Sequence, residues 1–223
     1  AMLDAHDSQG YRENQFLERY SAFGKYRQNL GSGATLTFQG NASVRDFGAP
    51  GYLTENQLRS GFDRRDALNP TDGGRVERYV ASAHYSRTGD EADRSRAIVY
   101  AGRIDQSRYS SFGSAANQSV DFNEQGFTGW RTTWQLGLGE RWLFTLGSDG
   151  RGTSHQNEEF NTDGSRGLAQ KTSDRDTRTL VGGVFAEAQW RPRQTLKATM
   201  GLRADGFDPA DPRARNGDGA GGD

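Results

Sequence analysis

Three histidines, His6, His84 and His155, are the side chains in this sequence best suited to acid–base or metal chemistry near neutral pH. The segment "HQNEEF" sets His155 beside Glu158 and Glu159. It lies in a stretch rich in Gly, Ser, Thr and Asp, with no helical period to align three ligands. A metal site needs fixed geometry and a supporting outer shell, so the expectation here is a solvated loop and no bound metal. "GSGATL" and "GLGERW" hold glycine pairs but lead into strand patterns, not helices, which disfavours a phosphate cradle. "NGDGAGGD", 216–223, is a single copy of a pattern that would bind calcium only when stacked on repeats of itself. "NAS" and "NQS" match a glycosylation acceptor pattern and carry no catalytic chemistry. No serine has the strand–turn–helix setting of an activated nucleophile. Cysteine is absent, which removes disulfides, thiolate metal sites and cysteine nucleophiles. The sequence therefore presents no catalytic residue, no metal ligand set and no cofactor motif.

What it does offer is recognition chemistry between strand-like runs. Tyr52, Arg59, Arg64 and Arg65 fall in one long connection, Tyr109 and Phe112 in a second, and Phe160 and Arg166, with His155, in a third. Arginine presents a fixed fork of donors to carboxylate or catecholate-type oxygens, and aromatic faces stack on planar groups. These eight arginine and aromatic residues are the candidate ligand contacts. With a net charge of −1 and no segment that concentrates Lys and Arg alone, nucleic acid is not an expected partner.

The elements that must position such loops are strands. Only 32% of the 223 residues are hydrophobic, 26% are charged, and mean hydropathy is −0.91. That is a thin supply of core for a water-soluble domain, yet 11% aromatic residues and 30 glycines do not fit a disordered chain. The longest apolar runs, 97–101 and 180–186, are far too short for a membrane helix. Period-two alternation resolves the conflict. From Leu36 to Val44 one parity reads Leu36, Phe38, Gly40, Ala42, Val44, and the other Thr35, Thr37, Gln39, Asn41, Ser43, Arg45. In "TLKATMGLRADGF", Leu196, Ala198, Met200 and Leu202 oppose Lys197, Thr199, Arg203 and Asp205. Eight such runs are expected, near 16–29, 34–45, 77–87, 96–109, 120–135, 142–151, 177–190 and 195–207. The run 96–109 carries Ile98, Tyr100 and Ile104 on one parity and Ala97, Val99 and Ala101 on the other, so its apolar face is not assignable from sequence.

The connections alternate in length. "NLGSG", "TGDEADR", "LGLGER" and "RPRQ" are short, whereas 46–76 and 152–176 read as long loops. Short turns at one end and long loops at the other are the pattern of an up-and-down outer-membrane barrel. Leu36, Phe38, Val44, Leu196, Met200 and Leu202 would then face lipid. Arg45, Lys197 and Arg203 would face the lumen. Tyr26, Trp134, Trp142 and Trp190 fall near the short turns, where an interfacial aromatic girdle would sit. Low average hydropathy follows, because half of each strand's residues face a watery lumen.

The segments "SQGYRENQFLERYSAFGKYRQNLGSGATLTFQG", "APGYLTENQL" and "VFAEAQWRPRQTLKATMGLRADGF" resemble the barrel of TonB-dependent outer-membrane receptors, the siderophore-type importers of Gram-negative bacteria. The resemblance implies import of a scarce ligand, most simply a ferric siderophore, without catalysis. It also implies loops 46–76 and 152–176 outside the cell and turns 30–33 and 191–194 in the periplasm. Receptors of this kind have 22 strands, an N-terminal plug and a motif for the energy-coupling TonB complex. Residues 1–223 show no plug and no coupling motif, and "PADPRARNGDGAGGD" reads as the start of another external loop. The expectation is an all-β internal barrel segment of about eight strands, in the outer membrane, whose partners are an iron chelate, membrane lipid and, through a plug, TonB. A complete eight-stranded barrel with a structural or adhesive role is the alternative; a soluble β-sandwich fits the strand lengths and loop asymmetry less well.

Overall fold

The structure is a computed structural model that describes residues 1–89, 93–112, 117–193 and 195–214. "NGDGAGGD" lies outside the described residues, as do 90–92 of "TGDEADR" and the last residue of "RPRQ". Nine strands run in chain order: β1 Met2–Gln9, β2 Phe16–Gly31, β3 Ala34–Gly48, β4 Gly73–Thr88, β5 Arg94–Ser111, β6 Gln118–Leu138, β7 Trp142–Thr162, β8 Leu168–Arg193 and β9 Leu196–Ala214. They form one antiparallel sheet in which every strand pairs with its sequence neighbours. The fold is all-β and up-and-down, with one short helix, α1 Glu55–Arg59, between β3 and β4. Among the described residues β1 and β9 are the two edges, and the sheet does not close on itself.

All eight runs marked by alternation are strands, and Met2–Gln9 adds a ninth. That segment escapes detection because Asp4, His6 and Asp7 interrupt any apolar parity. The main departure concerns loop length. Residues 152–176 do not form a long loop; β7 continues to Thr162, β8 begins at Leu168, and a short turn at 163–167 joins them. His155, expected in a solvated loop, is a strand residue paired with Gln125 and Thr177. The reason is physical: where both faces of a strand meet water, both parities are polar and the period-two signal disappears although the backbone ladder continues. The connection after β3 is shorter than expected too, 49–72, and it carries α1. The capping box of α1, with Thr54 and Gln57 each bonding back to the other's backbone, is written in "TENQ".

Register carries one pattern across the sheet. Directly opposed residues share a face, so the pairs Phe38–Tyr26, Phe38–Ala83, Ala83–Val99 and Val99–Trp130 lie on one side. The same side continues through Trp134–Leu146, Leu146–Ala186 and Ala186–Leu202. Leu36, Phe38, Val44, Leu196, Met200 and Leu202 all fall on this apolar face by parity. The ambiguous strand is settled by its neighbours: Ala97, Val99 and Ala101 take the apolar face, while Ile98 sits opposite Arg131 and His84 on the polar one. Arg45, Lys197 and Arg203 also lie on the polar face.

The apolar face is not a core. Among the described residues Val120 is the one apolar side chain that is buried, while Met200 and Leu202 are 74% and 77% exposed. A water-soluble chain of this size hides most of its large apolar side chains; this sheet displays them on one side.

Within the sheet, aromatic rings lie over glycines of the neighbouring strand. Phe127 covers its directly opposed Gly102, Tyr100 covers Gly129, Phe185 covers Gly147 and Trp130 covers Gly150. A Cβ at Gly147 would collide with the Phe185 ring and the Thr132 carbonyl. Gly147→Val is therefore expected to destabilise the sheet by about 1–3 kcal/mol, the usual cost of overpacking. Phe185→Leu in the same background should restore part of that loss in urea unfolding. A Gly147→Val protein as stable as the parent would show that the ring does not occupy this seat.

Candidate functional site

The connections at one end of the sheet are 10–15, 49–72, 112–117 and 163–167; those at the other are 32–33, 89–93, 139–141 and 194–195. The first set, which holds most of the candidate ligand contacts, is tied together by a polar knot. Its centre is Asp72, 5% exposed, at the base of the 49–72 connection. One Asp72 oxygen accepts from the Ser111 amide at 2.7 Å; the other accepts from the Ser111 hydroxyl at 2.7 Å and from Gln118 Nε2 at 2.9 Å. Gln118, 2% exposed, also donates through Nε2 to Thr71 Oγ1 at 2.9 Å and accepts from Thr162 Oγ1 at 2.8 Å. The Asp72 and Asn69 carbonyls accept from Asn14 Nδ2 at 2.7 and 3.0 Å, which brings in the first connection. Arg12 binds the Asp66 and Gly51 carbonyls. Buried polar groups keep such partners because an unmet donor or acceptor away from water costs about 1–3 kcal/mol. At this end the knot adds polar packing to Val120, the one buried apolar side chain among the described residues.

The 163–167 turn is built around Asp163. Its Oδ1 accepts from the Ser165 amide at 2.8 Å, the Gly167 amide at 2.9 Å and the Ser165 hydroxyl at 3.1 Å. The Ser165 and Gly167 amides hold the Asp163 carboxyl below the usual carboxylate range. A depressed acid contributes fully above its unfolded value, about 3.9, and the contribution is lost as pH falls through the folded value. Arg166, at positive φ, is fixed by this turn.

The candidate contacts divide by surroundings. Arg166 donates through Nε to the Thr71 carbonyl at 2.8 Å and stands 4.8 Å over the ring of Tyr109, which lies in β5 and not in a connection, so Arg166 ties the 163–167 turn to the 49–72 connection and to the sheet. Phe160, expected in a loop, is a residue of β7; it packs edge-on against Phe122 at 5.9 Å with Lys171 above it. Arg59 is paired with Glu55 at 2.6 Å on α1, and Arg65 stands 5.3 Å over Tyr11. Arg64 is exposed, and Tyr52 and Phe112 are 93% and 89% exposed. Tyr52, Arg64 and Phe112 thus have the freest side chains of the set. Asp72, Gln118, Asn14 and Thr162 were not visible in the sequence, since their bonds span up to 58 residues and no local motif joins them. Among the described residues His155 Nε2 is buried with no hydrogen-bond partner. Among the described residues no group of His, Asp or Glu side chains is placed to hold a metal ion.

At the short-turn end, Trp142 and Trp190 are directly opposed and stacked at 5.9 Å, and Phe144 stacks on Trp142 at 5.8 Å. Trp134 and Tyr26 lie on the same face toward the same end. No helix among the described residues is long and apolar enough to cross a membrane, which does not bear on crossing by strands. On the polar face Arg203 bridges Asp149, at 2.8 and 3.0 Å, and Asp205.

No protein-family model matches the chain, and no curated protein matches it. Solved structures do. The chain is similar to the ferric citrate transporter FecA in its unliganded form, with TM-score 0.70 and 15% identity over 91% of this chain and 32% of that one. It is similar to the ferric-catecholate import receptor Fiu from E. coli K12, with TM-score 0.61 and 12% identity over 91% of this chain and 39% of that one. It is also similar to the ferric yersiniabactin uptake receptor FyuA from Yersinia pestis, with TM-score 0.60 and 12% identity over 95% of this chain and 37% of that one. The chain spans about a third of the length of these proteins, and the likeness is one of fold.

Asp72→Ala should loosen the loop end, because three donors lose their acceptor at once. We expect faster cleavage of the 49–72 connection by added protease, and the same from Gln118→Ala. The double variant should be little worse than either single one, since both remove the same network. Fully additive effects would mean that Asp72 and Gln118 act separately. For the turn, protease resistance at 163–167 should hold at pH 5 and fall on further acidification; Asp163→Asn should be sensitive throughout.

Proposed function

We propose that this chain forms part of the barrel wall and external loops of a TonB-dependent outer-membrane receptor that imports a scarce ligand, a ferric chelate. The observation that carries the reading is a nine-stranded sheet with one continuous apolar face, one polar face and almost no core of its own. The apolar face needs an apolar medium, and lipid supplies it. From Leu180 to Trp190 that face runs roughly 33 Å at about 3.3 Å per residue, which a strand tilt of about 40° projects to roughly 25 Å, the height of a barrel's lipid-facing band. Leu36, Phe38, Val44, Leu196, Met200 and Leu202 then contact lipid tails, and Tyr26, Trp134, Trp142 and Trp190 form the girdle at the periplasmic interface.

The open edges at β1 and β9 favour a wall completed by further strands over a small closed barrel. Unpaired backbone groups cannot stay exposed in lipid, and bacterial single-chain barrels have an even strand number. The iron-chelate reading draws support from the fold neighbours, whose names specify ferric citrate, a ferric catecholate and ferric yersiniabactin. Tyr52, Arg64 and Phe112 present stacking faces and an anion-binding fork to the exterior, with Arg59 and Arg65 beside them. The function assigns no catalytic step. Transport would draw on the TonB complex acting through a plug within the lumen.

Deletion of the gene should abolish growth on at least one ferric chelate as sole iron source, and the protein should fractionate with the outer membrane. An epitope after Gly164 should be labelled on intact cells and one after Arg193 only after permeabilisation. Recovery of the protein in the soluble fraction, or labelling at Arg193 alone, would overturn the reading.

A further inference from the structure

The register places three arginines together on the polar face near the loop end. Arg19 of β2 is directly opposite Arg45 of β3. Arg45 is opposite Val76 of β4, so Arg78, two residues on and facing the same way, is its diagonal neighbour. Directly opposed side chains have Cβ atoms about 4.5–5.5 Å apart and diagonal ones stand about 7–8 Å apart, and like charges so placed repel. Only Arg19 has an ion-pair partner among the described residues, Asp4 at 2.8 Å on the neighbouring strand. Arg45 rests over the Phe47 ring at 5.4 Å, which orients its guanidinium without neutralising it. All three arginines are exposed. Elsewhere in the sheet Arg75, Arg103 and Arg203 each engage two carboxylates.

We infer that Arg19, Arg45 and Arg78 form a binding subsite for an anion with several oxygens, on the lumen wall below the loops. Three guanidinium forks in one patch match a ligand that carries more than one carboxylate or catecholate edge, and each fork can meet two oxygens at once. The like-charge arrangement is relieved when such an anion is bound. The inference rests on the receptor reading and adds a ligand class to it: the imported chelate keeps net negative charge. A neutral chelate would gain little from this patch, and a cationic one would be repelled by it.

The test uses the full-length receptor in lipid nanodiscs and three radiolabelled iron probes. These are ferric citrate, an anionic ferric tricatecholate and a neutral ferric trihydroxamate. At least one anionic probe should bind, more weakly at 200 mM than at 50 mM salt. Arg45→Gln with Arg78→Gln should weaken that binding by about 10–100-fold, the range for losing charge-assisted hydrogen bonds, and should flatten the salt dependence. Circular dichroism and gel mobility of the double variant should match the parent, and Arg45→Lys with Arg78→Lys should restore part of the affinity. Unchanged affinity in the Gln variant, or binding of the neutral probe alone, would overturn the inference while leaving chelate import in place. Binding of an anionic probe in a protein whose deletion affects no iron source would overturn import and leave the subsite standing.

Discussion

The constraint on which the rest depends is strand register. Each of the eight pairings fixes which residues share a face, and a shift of one residue would exchange the faces along a whole strand. In β9 such a slip would carry Lys197 and Arg203 onto the side now held by Ala198, Met200 and Leu202. With lipid on that side, each exchanged cation costs about 2–4 kcal/mol near the bilayer midplane. The bridge from Arg203 to Asp149 spans from β9 to β7 across β8 and would be lost at the same time. Cross-strand seats such as Phe185 over Gly147 add a steric lock, since the ring fits only where the opposing residue has no side chain.

The two ends of the sheet are organised by different physics. At the short-turn end, stacked aromatic rings gather on one face, suited to a boundary between hydrocarbon and water. At the loop end, packing is polar: Asp72 and Gln118 gather donors and acceptors from the connections and hold them at fixed height above the sheet. This arrangement leaves Tyr52, Arg64 and Phe112 projecting while Arg166, Tyr109 and Arg12 are committed to holding the loops. A rigid base with free tips suits capture of a ligand from solution, because binding then orders few side chains.

Much of this was legible in the sequence because alternation records which face meets which medium. The runs 34–45 and 195–207 could be oriented residue by residue from that signal alone. It failed where the medium is the same on both sides. The upper half of β7, from Gly152 to Thr162, alternates between two polar faces and reads as loop, although its ladder to β8 is continuous apart from two bulges. In β5 it failed for a different reason, because Ile98, Tyr100 and Ile104 on the polar face are as apolar as Ala97, Val99 and Ala101 behind them; only pairing with β4 and β6 separates the two. The Asp72–Gln118 knot and the Arg19–Arg45–Arg78 patch were illegible for a third reason. Their members are far apart in sequence and meet through register, which no local pattern encodes.

The central claim, that the face shared by all nine strands meets lipid and the other meets water, is tested most directly on β5, where sequence is neutral. Spin labels placed singly at Val99 and Ile98 in the lipid-embedded protein can be scored for collision with molecular oxygen and with a polar nickel chelate. The account predicts that the label at Val99 is reached by oxygen and shielded from the chelate. At Ile98, opposite Arg131 and His84, the chelate should have the greater access relative to oxygen. Reversal of that pair of accessibilities would contradict the account, because the faces of every neighbouring strand would have to reverse with it.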